Sequence, residues 1–387
     1  MKFLPSACCF LLLILASCHA PSRVQRILKT TPIIDTHIDF PYSLVEHGEA
    51  WTPGYTTLAL KHPKGDFDYA RAVQGGLYGP FMSIYIPARH QKEPGRSKEV
   101  ADSLIQIVYA MAADNPKQFA LAFQPEDLLR QFRKGLISLP MGMENGAPIE
   151  TLEDVGYFHR RGIRYVTLAH SRDNQISDSS YDTLHTHGGL SAFGRAVVQE
   201  MNRVGIMVDV SHLSDDAIRD VLETSTRPVI ATHSACRHFT PGYQRNLPDE
   251  LIRAIAAQNG VVCVPFSHYF LSTESRARYL AAEADMKARG LDGKSPEGRA
   301  FLRAEMVKAG VTAKNVADHI DHLKNLVGIN HIGLGSDFDG VDLALPPDLA
   351  DVSMYPNLLE ELLHRGYSKR DIRKICYQNV LRVWKTN

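Results

Sequence analysis

From residue 33 onward, short β-branched or apolar runs alternate with longer stretches in which apolar residues recur at helical spacing. That rhythm predicts βα units in place of a β-sandwich. The strand-like runs extend from Ile33 to Asp39, Phe81 to Ile86, Leu136 to Glu144, Tyr165 to Leu168, Gly205 to Val210, Val229 to Thr232, Val261 to Phe266 and His331 to Ser336. Helical patterns extend from Ser103 to Ala112, Gly194 to Arg203, Ser214 to Leu222, Asp249 to Gln258 and Val316 to Leu326. Eight strands separated by helices are what a closed (β/α)8 TIM-like barrel needs.

Two interruptions refine this picture. Gly205 and Gly260 each follow the polar end of a helix and precede an apolar strand, the expected place for left-handed backbone at an αβ turn. Tyr269 to Gly310 is charged and alanine-rich, broken at Pro296-Glu297-Gly298, and reads as a helical excursion after the seventh strand. It covers the site or a partner, or is a solvated decoration.

The beginning of the chain has another character. Lys2 precedes an apolar run from Phe10 to Ala16, too short to span a bilayer as a mature helix, and Leu15-Ala16-Ser17-Cys18 resembles a bacterial lipobox. The expected layout is a signal peptide over residues 1–17, a lipidated Cys18 with a tether over 18–30, and one catalytic barrel domain over 31–387, the alternative being an ordinary secretory leader with an accidental cysteine. Its expected location is the bacterial cell envelope, lipid-anchored to the outer membrane through Cys18, where His19 lacks the aspartate associated with inner-membrane retention.

Composition narrows the function classes. The 43 basic residues balance 43 acidic ones, so no basic footprint for nucleic acid exists. Past Cys18 only Cys236, Cys263 and Cys376 remain, widely spaced, which argues against a disulfide framework and against thiolate metal sites. Any zinc must then be held by histidines and carboxylates.

Such groups stand where a barrel places its chemistry, at the C-terminal ends of the strands. His37 and Asp39 are two apart in Asp35-Thr-His-Ile-Asp, so one strand presents both to one face. Glu144 ends an apolar approach from Gly135, and a carboxylate carried inward needs a cation or hydrogen bonds. His212 ends Ile206-Met-Val-Asp-Val-Ser-His and His233 ends Val229-Ile-Ala-Thr-His, the same placement on consecutive strands. These five residues offer enough N and O ligands for two ions if Glu144 is shared, and a water between the ions can attack a polarised carbonyl.

Further rim residues complete the chemistry. His170, closing Arg164-Tyr-Val-Thr-Leu-Ala-His, can stabilise an oxyanion, and Asp337 can orient the nucleophile and pass its proton to a leaving amine. Arg245 in Gln244-Arg-Asn-Leu-Pro can grip a substrate carboxylate, or simply be solvated. Asp339 reads as a turn or supporting acceptor beside Gly340, and Asp318-His319 and Asp321-His322 as packing residues.

At these residues the chain resembles the renal, or membrane, dipeptidase family of metallopeptidases. The resemblance runs from about Ile33 to Trp384 and rests on Asp35-Thr-His-Ile-Asp-Phe-Pro, Gly142-Met-Glu-Asn-Gly, Tyr165-Val-Thr-Leu-Ala-His, Gly189-Leu-Ser-Ala-Phe-Gly, Val208-Asp-Val-Ser-His and Gly335-Ser-Asp-Phe-Asp-Gly. It implies a zinc-dependent dipeptidase with two Zn2+ ions per chain, one held by His37 and Asp39, the other by His212 and His233, with Glu144 bridging. It implies His170, Arg245 and Asp337 as substrate contacts, Asp337 being also the acid near the nucleophile. Dipeptides, L,D-dipeptides included, are the implied substrates, and a homodimer the implied assembly.

The chain departs from the family pattern at Gly79-Pro-Phe, at Phe266-Ser-His-Tyr and at Cys376-Tyr-Gln-Asn. The second departure and the excursion after it bear on the substrate pocket. Two other readings are a noncatalytic metal- or peptide-binding lipoprotein and a related barrel amidohydrolase acting on cyclic amides or β-lactams. The full ligand set argues against the first, and Arg245 favours a carboxylate-bearing peptide over the second.

Overall fold

The computed structural model describes residues 22–293, 295–341 and 344–387. The leader and Cys18 therefore lie outside the described residues. Among the described residues ten short strands occur in chain order: β1 (Ile33–Ile38), β2 (Leu77–Tyr85), β3 (Phe119–Leu121), β4 (Ile137–Leu139), β5 (Met141–Glu144), β6 (Ile163–Thr167), β7 (Met207–Asp209), β8 (Ile230–Ala231), β9 (Val261–Val264) and β10 (Ile332–Leu334).

Eight of them close a parallel barrel in the order β1-β10-β9-β8-β7-β6-β5-β2. Each expected strand is present, with helices such as Arg96–Asp114, Ala192–Val204, Asp215–Thr224, Asp249–Ala257 and Ala313–Val327 between them. Register levels the strand ends, since Tyr85 pairs with Glu144, Glu144 with Thr167 and Thr167 with Asp209. Residues just past these positions consequently emerge at one height, at the C-terminal mouth.

The opposite part of the interior is apolar. Ile34, Phe81, Tyr165, Met207, Ile230 and Cys263 form one buried cluster with Val380, Val383 and Trp384 of the C-terminal helix Asn379–Thr386. Burying the Trp384 indole against Phe81, ring centres 5.3 Å apart, removes a large apolar face from water. Cys236, Cys263 and Cys376 are buried and form no disulfide among the described residues, and no described helix is long and apolar enough to cross a membrane.

Three sequence expectations need correction. The run from Leu136 to Glu144 divides at Pro140, because proline has no N–H for the ladder. β4 pairs instead with β3 in a separate two-stranded sheet, and only β5 enters the barrel. The stretch read as a tether contains the helix Arg23–Leu28, capped by Ser22 and Gln25, which buries Val24 and Ile27. Two apolar positions three apart are too few to register as periodicity. Gly205 has the left-handed φ of 91°, but at the other turn that conformation belongs to Asn259, φ 59°. Gly260 is needed for close approach, since a Cβ there would meet Ile255 Cγ2 at 2.6 Å and Val229 O at 2.7 Å.

The excursion folds as helices His268–Leu271, Thr273–Ala288 and Pro296–Lys308, with a small core of Tyr279, Ala282, Met286, Leu302, Met306 and Ala344. On the helix Ala313–Val327, His319 is fully buried, its Nδ1 taking the Cys236 N–H and its Nε2 bonded to Leu271 O. Asp318 and Asp321 pair with Arg365, and His322 with Asp249, as packing roles require.

Candidate active site

Every rim residue singled out from the sequence lies at or within a few positions of a barrel strand end, except Arg245, which reaches the mouth from the loop before Asp249–Ala257. The backbone there is unusual. Asn145, His212, Asp337 and Asp339 all have positive φ between 62° and 86°. Non-glycine residues held in that region mark local strain stored where side chains must be aimed.

Glu144 is the centre of the arrangement and is almost fully buried. Its Oε2 lies 3.3 Å from His37 Nε2, whereas its Oε1 lies 3.1 Å from His212 Nε2, 3.2 Å from His233 Nε2 and 3.6 Å from His170 Nε2. The carboxylate thus divides its two oxygens between two sets of imidazoles. Asp39 Oδ2 stands 3.3 Å from His37 Nε2, although Asp39 lies one residue beyond β1. Ligand atoms converge in three groups: His37, Glu144 and His233; Glu144, His170 and His212; and His37, Asp39 and Asp337. His170 and Asp337, read from the sequence as substrate contacts, therefore also stand at ligand distance from the cluster.

The donors fit divalent cations. The Nε2 atoms of His212 and His233 lie within hydrogen-bond distance of each other, 2.7 Å, whereas His37 Nε2 and Asp39 Oδ1 are buried with no hydrogen-bond partner among the described residues. Buried polar atoms left in this state are costly unless something binds them. Burial, with Arg245 and neighbouring imidazoles as further causes, holds His212 and His233 well below the ordinary histidine pKa, and burial also lowers His170. Neutral imidazole is the form that ligates a metal. For Glu144 burial opposes ionisation, but His37, His170, His212 and His233 outweigh it and hold the carboxyl well below its usual range. Nitrogen and carboxylate donors without thiolate suit zinc.

The remaining candidates border this cluster. Burial, with Asp39 and Glu144 as nearby negative charges, pushes Asp337 up to about 8, against the opposing pull of His37 and Arg245. Arg245 is buried, donating to His233 O at 2.7 Å and Ser234 Oγ at 3.0 Å, with its guanidinium 5.1 Å from the Phe270 ring centre. Asp339 accepts from the N–H groups of Asp66 and Phe67, the acceptor role read from the sequence. A cavity of about 880 Å³ opens over the cluster, walled by Tyr42, Tyr85, Tyr181 and Tyr243 and, from the excursion, by Tyr269, Phe270, Arg276 and Glu283.

Several supporting residues escaped the sequence reading. Tyr165 Oη is bonded to His37 Nδ1 at 2.9 Å. Asp35 accepts from the His37 and Ser336 N–H groups and the Tyr355 hydroxyl, tying β1 to β10. Asp209 does similar work between β6, β7 and β8. The available signal was a carboxylate set inside an apolar strand, Ile34-Asp35 and Val208-Asp209, where burial demands several donors.

Fold and site together define a metal-dependent barrel hydrolase. Within that class the chain belongs to the membrane dipeptidase family, peptidase family M19, whose model matches residues 21–387. The dipeptidase verJ of Clonostachys rogersoniana is 33% identical over 373 residues, covering 94% of this chain and 86% of that protein. The crystal structure of PvdM from Pseudomonas aeruginosa, described as a probable dipeptidase, is 26% identical with a TM-score of 0.79, covering 94% of this chain and 97% of that one. A metallopeptidase from Rhodobacter sphaeroides, crystallised with a phosphinate mimic of L-Ala-D-Ala, is 25% identical with a TM-score of 0.75, covering 92% of this chain and 99% of that one. The chain is a metallodipeptidase.

Proposed function

We propose that the enzyme hydrolyses dipeptides, L,D-dipeptides among them, with two zinc ions held by His37, Asp39, Glu144, His212 and His233. The observation that carries this reading is the division of the Glu144 oxygens between His37 on one side and His212 and His233 on the other. When bound, zinc supplies a Lewis acid for the scissile carbonyl and acidifies the attacking water.

The chain's own groups do the rest. Asp337, at the cavity wall beside Asp39, accepts the proton of the attacking water and delivers it to the leaving amine. His170 donates to the oxygen on which charge develops. Arg245, whose charge is felt at His170, His212, His233 and Asp337, pairs with the substrate's terminal carboxylate. Tolerance of a D residue at the carboxyl end draws support from the L-Ala-D-Ala mimic bound by the Rhodobacter sphaeroides protein.

The reading extends to the chain's surroundings. Cys18 in Leu-Ala-Ser-Cys carries lipid and anchors the enzyme at the outer membrane of a bacterial envelope, and the family resemblance supports a homodimer. Zinc content per chain, measured beside rates on L,L- and L,D-dipeptides and their carboxyl-amidated forms, tests the catalytic reading. Two zinc ions and selective cleavage of free-carboxylate dipeptides are expected, and full turnover by metal-free enzyme would end it. Labelling with a radioactive fatty acid, lost in Cys18→Ser, tests the anchor.

A further inference from the structure

The ligand histidines differ in what holds their far side. His212 Nδ1 is buried with no hydrogen-bond partner among the described residues. His233 Nδ1, in contrast, lies 2.9 Å from Thr232 Oγ1, and Thr232 Oγ1 lies 2.7 Å from Asp209 Oδ2. Asp209 is fully buried and receives four donors: the hydroxyls of Thr167 and Thr232 on Oδ2, and the N–H groups of Ser211 and Thr232 on Oδ1.

A proton count makes this arrangement directional. A carboxylate has about four lone-pair sites, and donors occupy all of them here, so Asp209 acts only as an acceptor. The Thr232 hydroxyl has Asp209 Oδ2 at 2.7 Å and Ser211 Oγ only at 3.5 Å, so its single proton goes to Asp209. Thr232 Oγ1 can then only accept from His233, which places the ring proton on Nδ1 and leaves Nε2 with its lone pair. That lone pair faces Glu144 Oε1 and His212 Nε2, the direction of the metal cluster.

We propose that Asp209, acting through the Thr232 hydroxyl, is the positioning group that sets the tautomer of His233 and aims its Nε2 at the metal. The inference rests on the reading of His233 as a ligand. It also explains why the two residues flank different strands. Asp209 ends β7 and Thr232 follows β8, so one carboxylate locks the relative register of the strands that carry His212 and His233.

Two measurements on the zinc-loaded full chain test it. The ring ¹⁵N and ¹³C spectrum of His233, assigned through its backbone neighbours, is expected to show the proton on Nδ1 and metal on Nε2. The opposite tautomer overturns the proposal, and no substitution at Thr232 is needed to see it. By chelator competition, Thr232→Val is expected to bind zinc roughly 10–100-fold more weakly, and Thr232→Ser to return within about threefold of the parent. Unchanged affinity in Thr232→Val overturns the proposal, as does a Thr232→Ser variant as weak as Thr232→Val. His233→Ala separates the two levels of argument. Loss of zinc there with none in Thr232→Val defeats the relay alone, while full zinc binding by His233→Ala defeats the ligand reading beneath it.

Discussion

The Nε2 atoms of His212 and His233 stand 2.7 Å apart in a buried pocket, and burial holds both rings neutral. With the ring protons on Nδ1, the two neutral imidazoles would turn both Nε2 lone pairs toward one cation. Removing divalent metal with a chelator is therefore expected to abolish dipeptide hydrolysis, with recovery on adding zinc. Thermal unfolding should follow the same cycle, since a metal at 100 times its Kd adds about 2.7 kcal/mol to the folded state. Calorimetry of both forms measures it, and equal melting temperatures would contradict the ligand set.

Asp337 borders the cavity and stands at ligand distance from the His37–Asp39 pair. Asp337→Asn keeps its shape and removes its proton-carrying capacity. The expected result is a fall in kcat of roughly 10²–10⁴-fold. Zinc content, measured on the same preparation, should stay at the parent level.

Arg245 touches the ligand strand through His233 O, and in the proposed mechanism it also pairs with the substrate carboxylate. The two roles separate by substrate. Arg245→Lys keeps a charge but loses the two-pronged geometry, so KM for free-carboxylate dipeptides should rise well above that for carboxyl-amidated ones. Equal losses on both substrate sets would assign Arg245 to structure alone.

Gly142 has no room for a side chain. A Cβ there would lie 1.9 Å from Tyr165 Cζ, and Tyr165 Oη is the partner of His37 Nδ1. Gly142→Ala is expected to cost about 1–3 kcal/mol of stability or more, as overpacking does. It should also weaken zinc binding by displacing the phenol from His37, which denaturant titration and zinc competition would read together.

His319 provides a pH signature away from the metal cluster. Burial, reinforced by His322 and His238, depresses its pKa to about 4 from an ordinary 6.5, against the opposing bond to Leu271 O. A depressed folded pKa means that the unfolded chain takes up the proton first. The stability it contributes is present above pH 6.5 and is lost as pH falls through 4. His319→Gln, able to bond both Cys236 N and Leu271 O, should therefore lose Tm less steeply over that window. Parallel slopes for parent and variant would refute the buried, neutral His319.

Alternation of apolar strands with amphipathic helices was enough to specify eight barrel strands, and the position of His37, Glu144, His212 and His233 at strand ends was enough to bring them to one mouth. Both follow from local rules: periodicity sets which face is buried, and parallel βα units send every strand end the same way. What lay beyond those rules was decided by packing between distant segments. Whereas Pro140 marked in the sequence where the long run must break, the β3–β4 pair and the docking of Arg23–Leu28 depend on partners that no local pattern names. So do the Asp209–Thr232–His233 chain and the Tyr165–His37 bond, because hydrogen bonds across strands depend on register and on which lone pairs remain free.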